Sequence, residues 1–422
     1  MKILWIVNTI FPYPAKQLGM KKTSFGGWLN SLFTIITERD DFELYIATVY
    51  KGKEFKEFND GKVSYFLIPG APAIKYDKRL ETYWKKINEK VNPEIAHLHG
   101  TEFAHGLAFI NACPNVKTVT SIQGLVSVYE KVYYANIPFK DIIKNITFRD
   151  IIKMDNLIQA RKKFINRGKN EISILKKTNA ISGRTIWDYA NTQAINPNVD
   201  FYSSNRILRQ EFYEGKKWDY SSVEPYSIFC SQASYPIKGL HFVIEAIYIL
   251  KKTYPDIKLY VAGHNVTATG TLKEKVKLSG YGKYINKLIK KYDLCNNVIF
   301  TGILDAKQMT EKLLKSNVFV QSSAIENSPN SLGEAMLLGV PCIASFVGGT
   351  GEMLEHEKEG FLYTYTESAI LAQYLKKVFD NRELCQKFSI NAIKKASITH
   401  NKERISKETI DMYYDIYKKQ VQ

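Results

Sequence analysis

NVFVQSSAIENSPNSLGEAMLLGVPCIAS, residues 317–345, opens on an apolar run and crosses a polar turn at Pro329. A helix-shaped segment follows at 329–338, and PCIAS (341–345) closes the stretch as a second apolar run. A strand, a helix and a strand in so short a compass form the repeating unit of a parallel sheet covered by helices. The loop between the first strand and the helix raises a further question. It places one carboxylate, Glu326, before the turn and another, Glu334, inside the helix.

Working outward, the same alternation fills the chain. KILWIVN (2–8), FELYIATVY (42–50), EIAHLHG (94–100) and KTVTSIQG (117–124) read as strands. Helical patterns at 28–36 and 77–91 lie between them. The pattern restarts with strands at 226–232, 257–264, 297–302, 317–323, 341–345 and 360–364. Helices are expected at 240–255, 283–292 and 306–315, and from about 366 to the end. The expected architecture is two doubly wound α/β domains, 1–218 and 219–400, with a C-terminal helix at 401–422 packing back on the first. The polar, turn-rich stretch 213–224 reads as their linker. Ligands of such sheets lie beyond the carboxyl ends of the strands, so a cleft between facing domains is the expected site.

Composition narrows the classes. The 422 residues exceed the usual span of one domain. MKILWIVNTIF is too short an apolar run for a signal peptide, and no stretch reaches the roughly 18 apolar residues of a membrane span. Five cysteines without paired spacing read as reduced thiols of a cytoplasmic protein. The net charge of +17 points to anionic partners. Segment 139–177 concentrates that charge, with eleven Lys and Arg against four Asp and Glu, a net +7. Ile151, Met154, Ile158 and Ile165 fall there at helical spacing. The segment reads either as a basic amphipathic helix on an anionic membrane or as a core helix with a solvated face.

The helix after Glu326 is expected to start at Pro329, with Ser328 as N-cap. The free N–H groups of Asn330, Ser331 and Leu332 would then favour a phosphate, flanked by Glu326 and Glu334 as acceptors for sugar hydroxyls. The alternative is a capping box between Ser331 and Glu334. Spacing alone leaves both open.

The order E-N-S-P-N-S-L-G-E, A-M-L-L-G-V-P-C-I-A-S and V-G-G-T-G-E resembles the E-x7-E signature of family-4 retaining glycosyltransferases, which have the GT-B fold. That resemblance implies that Glu326 contacts the donor sugar and Glu334 the nucleotide ribose. It further implies that amides near Ser331 and Leu332 meet the diphosphate. Lys238-Gly239, within YPIKGLHFVIEA (235–246), matches the family's K-G opening a helix, and Lys238 is expected to hold the diphosphate. The arginine usual before it is absent. Gly26-Gly27, in SFGGWLNSL (24–32), resembles the glycine-rich loop against the donor phosphate.

His99, Glu102, His105 and Gln123, near two strand ends, and Arg184 of ISGRTIWD (181–188) are the acceptor candidates. Arg184 is equally readable as a partner of Asp188. No D-x-D occurs, so neither a carboxylate-held metal nor any other cofactor is expected, and no nucleic-acid motif accompanies the basic charge.

The resulting expectation is a retaining, metal-independent glycosyltransferase with Glu326 and Lys238 as its catalytic residues. It would move a sugar from a UDP- or GDP-sugar to a glycan or lipid-linked glycan in surface polysaccharide biosynthesis. Its expected place is the cytoplasm, peripheral on the inner face of the membrane. The alternatives are a GT-B nucleotide-sugar epimerase and a non-catalytic basic protein that binds nucleic acid or a membrane surface.

Overall fold

The computed structural model describes residues 1–20, 27–71 and 75–421. The chain divides into two compact units, one formed by 1–130, 163–207 and 401–422 and the other by 131–162 and 208–400.

The first unit holds eight strands: β1 (Lys2–Val7), β2 (Glu43–Tyr50), β3 (Lys56–Asn59), β4 (Ser64–Pro69), β5 (Ile95–His99), β6 (Lys117–Ser121), β7 (Ala180–Gly183) and β8 (Asp200–Ser203). Their order is β3-β4-β2-β1-β5-β6-β7-β8, parallel except for the β3/β4 pair. Side chains of a strand alternate between faces, and β1 uses both. Leu4 and Ile6 pack with Leu80, Trp84 and Ile87 of helix Leu80–Val91. Ile3, Trp5 and Val7 pack with Leu29, Leu32 and Ile36 of helix Gly27–Thr37, and with Met412, Tyr413 and Ile416 of helix Lys402–Val421. The Trp5 indole N–H donates to the Tyr413 hydroxyl at 3.0 Å, so residues of this C-terminal helix are built into the core of the first unit.

The second unit has an all-parallel sheet of six strands: β9 (Glu224–Cys230), β10 (Lys258–Ala262), β11 (Val298–Gly302), β12 (Ser316–Gln321), β13 (Cys342–Ser345) and β14 (Gly360–Tyr363), in the order β11-β10-β9-β12-β13-β14. In both units the order reverses near the first strand, as in doubly wound sheets.

Three expectations change. Strands β3, β4, β7 and β8 lie outside the strands expected from the sequence; β3 and β8 are short, partly exposed edge strands, whereas β4 and the four-residue β7 lie one strand in from the edges and are buried. The boundary expected at 218/219 lies at 207/208, because Phe212 and Trp218 belong to the core of the second unit. Residues 131–162 also join that unit, through Ile137 and Ile142 in the same core.

Segment 139–177 is not one helix but three: Phe139–Lys144, Phe148–Lys153 and Leu157–Lys177. A capping box between Thr147 and Asp150 starts the second, and Met154, in the left-handed region at φ 50°, ends it. Ile151 and Met154 therefore do not share a helix with Ile158 and Ile165.

Candidate functional site

Three adjacent strands of the second unit, β9, β12 and β13, end in loops that lock into one another. After β12, the Ser322 hydroxyl donates to the Lys238 carbonyl at 2.9 Å, and the Ala324 N–H donates to the Ile237 carbonyl at 2.7 Å. After β13, the Gly349 N–H donates to the Glu326 carbonyl at 3.1 Å. Two glycines make this closeness possible. Gly239 has φ +70°, and a Cβ there would lie 1.9 Å from the Ser322 carbonyl oxygen. Gly348 has φ +54°, and its Cβ would lie 1.8 Å from the Glu326 carbonyl oxygen. Both positions demand a residue without a side chain.

Within this cradle the Lys238 ammonium donates to Glu326 Oε1 at 2.6 Å, and the Ser323 hydroxyl donates to the same oxygen at 2.8 Å. Glu326 is only 8% exposed. Burial pulls the Lys238 ammonium down, but the carboxylate beside it outweighs that and leaves its pKa raised. The two residues singled out as catalytic, 88 positions apart in sequence, are thus in direct contact.

The helix beyond Glu326 is Asn330–Leu338, with Pro329 as its N-cap and no side-chain cap. It begins one residue later than expected, and the capping box of Ser331 and Glu334 does not form. Ser328 is not the cap; its hydroxyl points to the Met353 sulfur at 3.3 Å. The Leu332 amide, expected to be free, donates to the Pro329 carbonyl at 3.0 Å in a tightened first turn. The Asn330 and Ser331 amides have no partner among the described residues.

Glu334 is nearly fully buried and forms a two-pronged pair with Arg209, Nε to Oε1 at 2.7 Å and Nη2 to Oε2 at 2.8 Å. Burial pushes the Glu334 carboxyl up while Arg209 pulls it back; the fork geometry is that of an ionised pair. Arg209 was not among the sequence candidates. It lies 125 residues from its partner, and no local pattern marks it.

In the first unit the acceptor candidates gather where β1, β5, β6 and β7 end. The Asn8 amide donates to Glu102 Oε2 at 3.0 Å and accepts from His105 Nε2 at 2.7 Å. The Gln123 amide donates to the His99 carbonyl at 2.7 Å. Arg184 donates from Nη2 to the Gln123 carbonyl at 3.3 Å, and its own backbone N–H donates to Asp188 at 2.9 Å. The backbone contact places Arg184 beside Asp188, the partner named for it. Gly100, at φ +108°, lets the chain turn within reach of Glu102, Asn8 and Gln123.

Burial raises the Glu102 carboxyl to about 7 and lowers His105 to about 4 and His97 to about 3. His99 is lowered in the same way, with the neighbouring His97 contributing, so these imidazoles are neutral at neutral pH. Gly27 opens helix Gly27–Thr37; Gly26 lies outside the described residues. Among the described residues no group of three or more His, Cys, Asp or Glu side chains is placed to hold a metal ion.

The cradle, the Lys238–Glu326 pair and the helix start all fall within one region of recognisable sequence. Residues 214–395 match the family of glycosyl transferases group 1. Arg209 lies just outside that matched region. The Bacillus subtilis protein YtcC, named as a glycosyltransferase, is 28% identical over 177 residues, which is 40% of this chain and 42% of that protein. The chain spans less than half the length of the curated relatives it matches.

Solved structures cover far more. Sucrose-phosphate synthase from Thermosynechococcus elongatus superposes with a TM-score of 0.70 over 99% of both chains, at 15% identity. Anabaena Alr3699/HepE, solved in complex with UDP and glucose, gives 0.66 over 98% of this chain and 99% of that one, also at 15% identity. At such identities the likeness shows the fold, which is GT-B. The resemblance read from 322–345 thus meets the family match over the same residues.

Proposed function

We propose that this protein is a retaining, metal-independent hexosyltransferase that moves a sugar from a nucleotide-diphosphate sugar, UDP- or GDP-linked, to a glycan or lipid-linked glycan in surface polysaccharide biosynthesis. The same reading gives it a cytoplasmic place, peripheral on the inner face of the membrane. The observation that carries the proposal is the Lys238–Glu326 pair at 2.6 Å, beside the start of helix Asn330–Leu338 and inside the region that matches group 1 glycosyl transferases.

The chemistry follows from what these groups can do. A donor diphosphate entering the cradle would meet the Lys238 ammonium and the open amides of Asn330 and Ser331. Glu326, released from Lys238, would accept hydrogen bonds from the donor sugar, and Glu334 would accept from the ribose. The bond from the anomeric carbon to the phosphate oxygen breaks as the acceptor oxygen bonds to the same face of that carbon. The acceptor proton passes to a phosphate oxygen of the leaving nucleoside diphosphate. Lys238 stabilises that departing charge, and the protein's main contribution is position and field. Gly26 and Gly27 would lie against the donor phosphate. His99, Glu102, His105, Gln123 and Arg184 would bind the acceptor, with the first unit as the acceptor domain and the second as the donor domain.

The test is transfer of labelled sugar from UDP- and GDP-sugars to lipid extracts and glycan primers, with the anomeric configuration of the product read by NMR. The expected product keeps the donor's configuration, and Lys238→Ala and Glu326→Gln lose most of the rate. Isomerised donor without nucleotide release would replace this reading by the epimerase. An inverted product would remove the same-face mechanism.

A further inference from the structure

Seven of the exposed large apolar side chains of the second unit lie on three short helices, Phe139–Lys144, Phe148–Lys153 and Leu272–Lys277. On each, two large apolar residues four positions apart share one face and stand in solvent: Phe139 and Ile143, Phe148 and Ile152, Leu272 and Val276. Phe148 is 76% exposed and Leu272 78%, values that core-facing residues never show. The second and third helices touch each other. The first two are anchored from beneath. Ile142 enters the core, and Asp150 accepts the Gly280 N–H at 2.8 Å, where the following helix, Gly280–Lys291, begins. A Cβ on Gly280 would sit 2.7 Å from that carboxylate, so the junction is closely fitted.

The charges on these helices sort by sign. Lys140, Lys144, Lys153, Lys273, Lys275 and Lys277 are all exposed. The acids are turned inward or occupied. Asp150 is buried, Asp141 is half-buried, and Glu274 accepts the Thr271 N–H in a capping box. Asp155, which follows the second helix, is gripped by Arg149 at 2.8 and 2.9 Å. The outward face is therefore apolar side chains among cations.

We propose that these three helices form the surface by which the protein lies on an anionic lipid bilayer. The apolar side chains would enter the acyl boundary, and the lysines would pair with acidic headgroups. Among the described residues no helix is long and apolar enough to cross a membrane, so attachment here is by a face. The inference rests on the peripheral membrane place proposed above. It narrows the contact expected of segment 139–177 to its first two helices and adds helix Leu272–Lys277, which makes a patch on the second unit, the unit that carries the Lys238–Glu326 pair. A lipid-linked acceptor would then meet the enzyme at the surface where it resides.

The experiment is co-sedimentation of the full chain with vesicles of phosphatidylcholine alone and of phosphatidylcholine with a quarter of phosphatidylglycerol. The variants are Phe148→Ser/Ile152→Ser and Lys273→Ala/Lys277→Ala on the patch, and Lys162→Ala/Lys169→Ala on the long helix. Wild type is expected to bind the anionic vesicles and to lose binding in high salt. The lysine pair on the patch should weaken binding roughly thirtyfold, from about 1 kcal/mol per lysine at the surface. The Phe148/Ile152 variant should weaken it at least about tenfold, while the long-helix pair changes it less than about threefold.

Binding lost in the long-helix variant and kept in both patch variants would overturn the patch and leave membrane attachment standing. No vesicle binding at all would overturn both. A patch variant that shifts the protein from dimer to monomer without a change in vesicle binding would assign the face to a second copy and refute the proposal. Nucleotide-sugar binding, measured on each variant without vesicles, reports the transferase reading separately and should be unchanged.

Discussion

Replacing Lys238 with methionine keeps the length of the side chain and removes its charge. The Glu326 carboxylate would then remain 8% exposed, with the Ser323 hydroxyl as its remaining side-chain partner among the contacts seen. Breaking a buried ion pair from one side costs about 3–5 kcal/mol, because the surviving charge stays desolvated. The pair is not sealed from water: its side chains are 17% and 11% exposed, which favours the lower end, about 3 kcal/mol. The second unit has about 225 residues, for which 1 kcal/mol corresponds to about 2–4 °C in Tm. The expected fall is roughly 6–12 °C, read by differential scanning calorimetry. Lys238→Met/Glu326→Gln removes both charges and should return to within about 1 kcal/mol of wild type. A loss below about 2 °C in the single variant, or a double variant no more stable than the single, would show that the pair is not the buried unit described here.

Three further outcomes follow from the same geometry. Gly239→Ala should lose about 2 kcal/mol or more and weaken donor binding, because its Cβ would lie 1.9 Å from the Ser322 carbonyl oxygen. Gly215→Ala, at φ +106° but in open space, should lose only about 1 kcal/mol when both variants are compared in urea melts. Arg209→Ala should cost about 3 kcal/mol by stranding Glu334, with most of it recovered in Arg209→Ala/Glu334→Gln. For Glu102, burial lifts the folded carboxyl from its ordinary 4.5 to about 7, so between those values the folded state holds more protons than the unfolded. Stability should therefore fall as pH rises through that window, and Glu102→Gln should flatten the slope in unfolding measured from pH 4 to 8.

What the sequence made legible was local. The run 317–345 shows its strand, loop, helix and strand because apolar period and turn residues are written within a few positions of one another. The Lys238-Gly239 dipeptide is legible through the resemblance, whose K-G opens a helix at this place. The pairing of Glu326 with Lys238 came within reach only through the resemblance.

The rest was set by contacts distant in sequence. Arg209 meets Glu334 across 125 residues, and nothing around Arg209 announces a fork. Residues 131–162 leave the first unit because Ile137 and Ile142 find a core built from strands and helices of residues 208–396, distant in sequence. The basic segment 139–177 looked like one amphipathic helix because charge and period continue across Thr147 and Met154. The capping box and the left-handed turn that divide it depend on backbone geometry that a period does not record. A free Leu332 amide follows only from an open first turn, and the hydrogen bond to the Pro329 carbonyl closes that turn.

The central claim, that the cradle around Lys238 and Glu326 reads a nucleotide-diphosphate sugar, is tested most directly by calorimetric binding of UDP-glucose, GDP-mannose and the free nucleotides UDP and GDP to wild type and Glu326→Gln. One nucleotide pair should bind, with the sugar nucleotide favoured over the free diphosphate by wild type. Glu326→Gln should lose that preference while keeping the nucleotide, a change of about 1–3 kcal/mol for an unmade hydrogen bond to a charged group. Equal loss of sugar nucleotide and free nucleotide in Glu326→Gln, or no binding of any of the four by wild type, would contradict the account.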